Sequence, residues 1–156
     1  MNDATTPEWR RDGYQVSTDR GRLDLDAVHG YLSQSYWARG IPRQLMEHGI
    51  ANSIPFGLYA PDGAQVGFAR VVSDRAQFAY LADVYVLPAH RGRGLGVWLV
   101  ECVLAHPDLS AMRRWMLATQ DAHELYRRFG FGPTGMPERL MFIERSPEDL
   151  WGRPDS

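Results

Sequence analysis

Lysine is missing from this chain altogether; all 17 basic residues are arginine. A nucleotide-triphosphate loop of the Gly-x-x-x-x-Gly-Lys-Ser/Thr kind is therefore excluded, because it needs a lysine on the phosphates. Cysteine occurs once, at Cys102, which rules out an intramolecular disulfide and a cysteine-built metal site. The five histidines are scattered without ligand spacing, so no metal is expected. No apolar run approaches the length of a membrane span, and the polar N-terminus lacks the apolar core of a secretion signal. Charge of one sign is not in excess either. The arginines are dispersed and opposed by 19 acidic residues, for a net charge of -2, which argues against a nucleic-acid surface. A cytoplasmic protein is expected, monomeric or a small oligomer such as a homodimer, with neither nucleic acid nor membrane as partner.

The 156 residues, 44% hydrophobic and 23% charged, suffice for one sizeable core and are short for two. Residues 1–11 read as a flexible tail, 12–146 as the folded domain and 147–156 as a second tail. Tyr14 to Ser17 suits a first strand. Leu25, Val28, Leu32 and Tyr36 recur at helical spacing after Asp24, a natural N-cap, and Gly40 would stop that helix. Pro42 opens a second short helix carrying Leu45, Met46 and Ile50. A meander follows: strands at Ile54 to Ala60, Gln65 to Val72 and Gln77 to Leu87, joined by turns at Pro61-Asp62-Gly63 and Ser73-Asp74-Arg75. Leu95, Trp98, Leu99, Cys102 and Val103 then form one wide apolar helical face. On that face Cys102 reads as a small buried hydrophobe rather than a nucleophile. Trp115 to Thr119 makes a strand parallel to the one before the helix, by a right-handed crossover. Asp121 and Glu124 have capping-box spacing for a helix from Ala122 to Phe129, ended by Gly130, and Arg139 to Glu144 can form a last strand.

Between the third meander strand and the apolar helix lies His90-Arg91-Gly92-Arg93-Gly94-Leu95-Gly96. A glycine-rich turn leading from strand to helix is an anion cradle. The first helical N–H groups have no intrahelical partner, and the helix dipole places positive charge there. Arg91 and Arg93 add two permanent cations. A dinucleotide fingerprint is excluded, because Gly94 is followed by Gly96 rather than a glycine three residues on, and residues 112–120 contain no acid for a ribose.

What fits is Arg-x-x-Gly-x-Gly at Arg91, Gly94 and Gly96, preceded by Asp83-Val84-Tyr85-Val86-Leu87-Pro88. Leu125-Tyr126-Arg127-Arg128-Phe129-Gly130-Phe131 follows, one helix and one strand later. Together these resemble the coenzyme A motif and the later Leu-Tyr-x-x-x-Gly-Phe of the GNAT superfamily of N-acetyltransferases. The resemblance runs from about residue 77 to 132. It implies an α/β (α+β) single domain with a mixed, mostly antiparallel central sheet, flanked by about four helices, whose fourth and fifth strands splay apart. It also implies acetyl-CoA. The pyrophosphate would rest on the backbone of Arg91, Gly92, Arg93, Gly94, Leu95 and Gly96. The pantetheine arm would lie along Val84, Tyr85 and Val86, with a backbone N–H near Val86 facing the acetyl carbonyl.

In such enzymes the tyrosine matching Tyr126 gives a proton to the departing thiolate; a phenol of pKa about 10 is protonated at neutral pH and so suited to that role. A ring at a helix end with its hydroxyl in water is the alternative. Asp83, in an otherwise apolar strand, can serve as general base or be hydrogen-bonded on the strand's other face. Tyr80 can relay a proton or line the acceptor pocket. Many family members carry Asn seven residues before the tyrosine; Thr119 stands there and is the candidate for the pantetheine contact. The acceptor pocket is expected to include Tyr36, Trp37 and Arg39 at the end of the first helix, and Arg70. An arginine facing it would suit an acceptor bearing carboxylate or phosphate. The expected activity is transfer of acetyl from acetyl-CoA to a primary amine, of a small molecule rather than a protein, by direct attack in a ternary complex. The rival is a non-catalytic coenzyme A-binding module.

Overall fold

The computed structural model describes residues 6–152. Six strands, β1 (Glu8–Arg11), β2 (Tyr14–Ser17), β3 (Ile54–Tyr59), β4 (Gln65–Ser73), β5 (Phe78–Val86) and β6 (Arg114–Leu117), lie in sequence order across one sheet. All neighbours are antiparallel except β5 and β6, which the crossover makes parallel. Helices α1 (Leu25–Leu32) and α2 (Arg43–Ala51) cover one face. The other face carries α3 (Leu95–Ala105) and α4 (His123–Arg127), while α5 (Pro147–Trp151) sits against the α1–α2 layer. None of the described helices is long and apolar enough to cross a membrane.

Four elements depart from the sequence expectation. Residues 8–11 are a strand rather than part of a tail: Asp12 and Gly13 both take positive φ, the geometry of a two-residue hairpin turn, and pin β1 onto β2. Residues 1–5 lie outside the described part of the chain. Helix α1 stops at Leu32, not near Gly40, where Ser35 begins a turn by bonding Leu32 O and Ala38 N. The expected last strand at 139–144 pairs with nothing among the described residues, and its side chains are exposed. Extended apolar residues become a strand only where a neighbouring edge accepts their N–H and C=O groups. The second expected tail also contains α5, capped by Ser146, with residues 153–156 beyond the described part.

Two features of β5 set up the site. Its pairing with β6 ends at Leu81↔Leu117, so the stretch from Ala82 to Val86 has no neighbour on that side and the two strands splay. Against β4, Arg70 pairs Ala82 and Phe68 pairs Tyr85; two residues of β5 thus oppose Ala69 alone. Asp83 is the extra one, at φ 58, a left-handed geometry that Asp tolerates better than most side chains. The bulge switches the strand's phase. Ala79 and Leu81 face the α3 side before it; Val84 and Val86 face that side after it, which turns Tyr85 toward α1. There Tyr85 stacks on Tyr31 at 3.9 Å and 8°.

Gly67 abuts this bulge. A Cβ there would lie 2.8 Å from Leu58 Cδ2 and 2.9 Å from the Tyr85 carbonyl oxygen, so backbone has to move. Gly67→Ala is expected to lower unfolding free energy by about 1–3 kcal/mol, read from denaturant titration; an unchanged midpoint would show that β5 yields freely.

Candidate active site

The splay opens into a cavity of about 550 Å³. Its aromatic walls are Tyr36, Trp37, Tyr80, Tyr126 and Trp151, and Arg70, Asp83, Thr119 and Asp121 add polar groups. The early end of α1 is what brings Tyr36 and Trp37 here, on the turns that follow Leu32. Trp37 Nε1 donates to Asp83 Oδ1 at 2.8 Å, and Tyr36 sits edge-on to Trp37 with its hydroxyl accepting from Gln120 N at 3.0 Å. The aromatic turn is thereby tied to β5 and to the segment that follows β6.

Asp83 is not an open carboxylate. Its second oxygen accepts from Arg70 Nε at 2.8 Å, with the two side chains 13% and 22% exposed. Arg70 also donates to Ser53 Oγ at 3.0 Å. Its guanidinium is thus held by protein groups, which removes the motive for an acidic acceptor at this residue. Arg39 is exposed and absent from the cavity wall. Tyr80 lies in the wall, and burial, then the nearby Asp83, push its hydroxyl above the ordinary tyrosine range.

Tyr126 is 8% exposed and packed edge-to-face on Phe131 at 5.9 Å, and its hydroxyl makes no hydrogen bond to the described residues. Burial, with smaller effects of Tyr36 and Asp121, pushes its pKa up to about 12. Its placement follows from α4, which is shorter than expected. Thr119 Oγ1, not Asp121, accepts Ala122 N at 3.0 Å, while Glu124 pairs with Arg127. Gly130 at φ 94 and the Phe131 N to Tyr126 O bond then close the helix. Thr119 keeps its O–H free to donate toward the cavity.

At the far end of β5 the glycine loop fits an anion. Gly92 and Gly94 have φ 83 and 75, α3 has no side-chain cap and no acid in its first turn, and a Cβ on Gly92 would meet nothing within 4 Å. The N–H groups of Leu95, Gly96 and Val97 precede the first intrahelical bond, Trp98 N to Gly94 O. Arg93 is exposed and makes no ion pair with the described residues. Arg91 instead turns back, donating Nε to Val86 O at 2.8 Å and Nη2 to Tyr31 Oη at 3.2 Å. Its side chain fixes the strand end; its backbone belongs to the loop. Cys102, 2% exposed with its thiol pushed up to about 12 by burial, is core. No three His, Cys, Asp or Glu side chains converge among the described residues.

One wall residue, Trp151, escaped the sequence reading. Its signal was the run Ser146-Pro147-Glu148-Asp149, an N-cap followed by proline and acids, which marks a helix start.

A cradle for phosphate, an unpaired strand edge leading from it, and an acid-capable tyrosine over a cavity are the working parts of an acyltransferase. The sequence profile described as acetyltransferase (GNAT) domain matches residues 55–133, and the chain belongs to that family. A Gibberella zeae protein named as an inferred acetyltransferase is 35% identical over 150 residues, covering 81% of this chain and 83% of its own. The crystal structure of an inferred GNAT-family acetyltransferase from Xanthomonas campestris pv. campestris superposes with a TM-score of 0.83 at 50% identity, covering 86% of this chain and 94% of that one. The fold is shared with a Clostridium acetobutylicum acetyltransferase, assigned by prediction and solved with acetyl-CoA, at TM-score 0.61 and 12% identity over 84% and 94% of the chains. The chain is an acetyltransferase of the GNAT fold.

Proposed function

We propose that this acetyltransferase takes acetyl from acetyl-CoA and transfers it, by direct attack in a ternary complex, to the primary amine of a small molecule with an apolar, ring-bearing body and no acidic group. The observation that carries this is Tyr126, a buried phenol with no hydrogen-bond partner among the described residues, set in the wall of a cavity that adjoins an open strand edge. The coenzyme supplies an activated thioester. The N–H groups at the start of α3 and the Arg93 side chain bind its phosphates, and the free edge of Val84 to Val86 orients the arm. A backbone N–H near Val86 steadies negative charge on the acyl oxygen. Tyr126 Oη gives its proton to the leaving sulfur.

Asp83 faces the acceptor. Each of its oxygens accepts one protein donor, so lone pairs remain for an ammonium, whose proton it draws directly or through water. The lining carries one cation and two carboxylates, and that cation is tied to Asp83, a balance suited to an amine. The aromatic walls suit a flat apolar body.

The test is thiol release from acetyl-CoA over a panel of amines, alongside a coenzyme titration. Arylalkylamines are expected to react at least tenfold faster than amino acids of similar size. Binding without release for every acceptor would favour the non-catalytic module; no coenzyme binding would defeat the reading.

A further inference from the structure

Three charged residues line the cavity: Arg70, Asp83 and Asp121. The first two cancel, since Arg70 Nε donates to Asp83 Oδ2 at 2.8 Å. Asp121 is the charge left over. It does not cap α4, and it forms no ion pair among the described residues, although Arg127 and Arg128 follow close behind it. Exposed acids elsewhere are answered by arginine: Asp26 by Arg43, Asp108 by Arg75 and Glu124 by Arg127. The Asp121 carboxylate lies close enough to the cavity for its charge to act on the Tyr126 hydroxyl, which is buried in the same wall without a hydrogen-bond partner among the described residues.

The two acids stand on opposite sides of the splay, Asp83 in the bulge of β5 and Asp121 in the segment after β6. An aromatic pair spans the space between them. Trp37 Nε1 donates to Asp83 at 2.8 Å, and Tyr36 lies edge-on to Trp37 with ring centroids 5.0 Å apart. The Tyr36 hydroxyl then accepts from the N–H of Gln120, the residue before Asp121. The cavity thus offers a carboxylate, a ring surface and a second carboxylate, in that order.

Both acids cannot do the same work on one nitrogen. The reacting nitrogen has to be neutral to attack, so attraction between its ammonium and a carboxylate is given up before the new bond forms. Asp83 takes that proton. A carboxylate that holds a cation throughout needs a second cationic group, one that does not react. We infer that Asp121 binds such a group, and that the acceptor is a diamine whose nitrogens are separated by a ring. The inference rests on the amine-acetylating reading above and narrows it. Asp121 acts on the binding and choice of acceptor and takes no proton in the chemistry.

The experiment compares three amines that share a benzylamine body and differ in the para group. These are para-xylylenediamine, para-methylbenzylamine and para-aminomethylbenzoate, which carry there a cation, no charge and an anion. Thiol release from acetyl-CoA is measured for each, and so is calorimetric affinity with coenzyme A present. In the wild type the diamine is expected to exceed the methyl compound in kcat/KM by about fivefold or more, after allowing for its two equivalent amines. The gain falls in KM, shrinks in high salt, and leaves the benzoate last. Asp121 is exposed, so its variants are expected to fold. Asp121→Asn should erase the order, and Asp121→Arg should reverse it, placing the benzoate above the diamine. Equal kcat/KM for the diamine and the methyl compound overturns the inference, and so does a preference that survives Asp121→Asn. If no amine releases thiol but the same order appears in affinity and follows Asp121, the cation site stands and the acetyl-transfer reading falls. Neither release nor order in affinity overturns both.

Discussion

Tyr126→Phe is expected to lower turnover at least tenfold, within the roughly 10²–10⁴-fold span of proton-transfer contributions, while leaving coenzyme affinity nearly unchanged. The variant keeps the ring's edge-to-face contact with Phe131 and breaks no hydrogen bond to the described residues, so stability is preserved and the loss reads the hydroxyl alone. Its pH dependence sharpens the test. A group whose pKa is raised to about 12 holds its proton throughout the neutral and mildly alkaline range. The wild-type rate therefore gains no descending limb near pH 10 from this residue. A fall with an apparent pKa of about 10 that disappears in the phenylalanine variant would contradict the burial described for it, and unchanged turnover would remove Tyr126 from the chemistry.

Gly94→Val is expected to weaken coenzyme binding by at least tenfold, measured by calorimetry or by displacement. Space is not the obstacle, since a Cβ at this position meets only Arg11 Nη2, at 4.0 Å. The obstacle is the backbone. At φ 75 a β-branched residue is strained by more than the roughly 1–2 kcal/mol typical of left-handed geometry, and relief rotates the peptide out of place. The N–H groups that begin α3 then no longer converge on one point. Arg93→Ala should cost less, and its deficit should shrink in high salt, because it removes an exposed charge rather than the cradle. Full affinity in Gly94→Val would show that the phosphates are held elsewhere.

Much of this was legible because it is local. The Arg91 to Gly96 spacing, the apolar face of α3 and the Asp24 cap each depend on residues within two helical turns of one another, and all stand in the structure as expected. What was missed depends on partners distant in sequence. Asp12-Gly13 did carry a hairpin signal, but whether Glu8 to Arg11 becomes a strand is decided by β2. Helical spacing at Tyr36 was outweighed by the Ser35 turn, with Trp37 drawn to Asp83 across 46 residues of chain. Asp121 does not cap α4, which starts without a side-chain cap; the chain enters it by a turn in which Thr119 Oγ1 accepts Ala122 N. Asp83 showed as a lone acid in an apolar strand; its Trp37 and Arg70 partners could not be read from either neighbourhood.

The bulge at Asp83 makes β5 a strand read in two frames. Odd-numbered residues face α3 before the bulge and even-numbered residues after it, with a single extra residue as the shift between them. Deleting Asp83 is then unlike deleting a side chain. It would close the bulge and leave Ala79, Leu81, Val84 and Val86 alternating on the α3 side with Tyr85 still toward α1, so both cores would keep their contents while the partner of Trp37 and Arg70 is lost. Substitution at this position tests a carboxylate, whereas deletion tests what the bulge itself contributes. In this fold the extra residue of β5 therefore serves the cavity rather than the two cores, which an unbulged strand would fill alike.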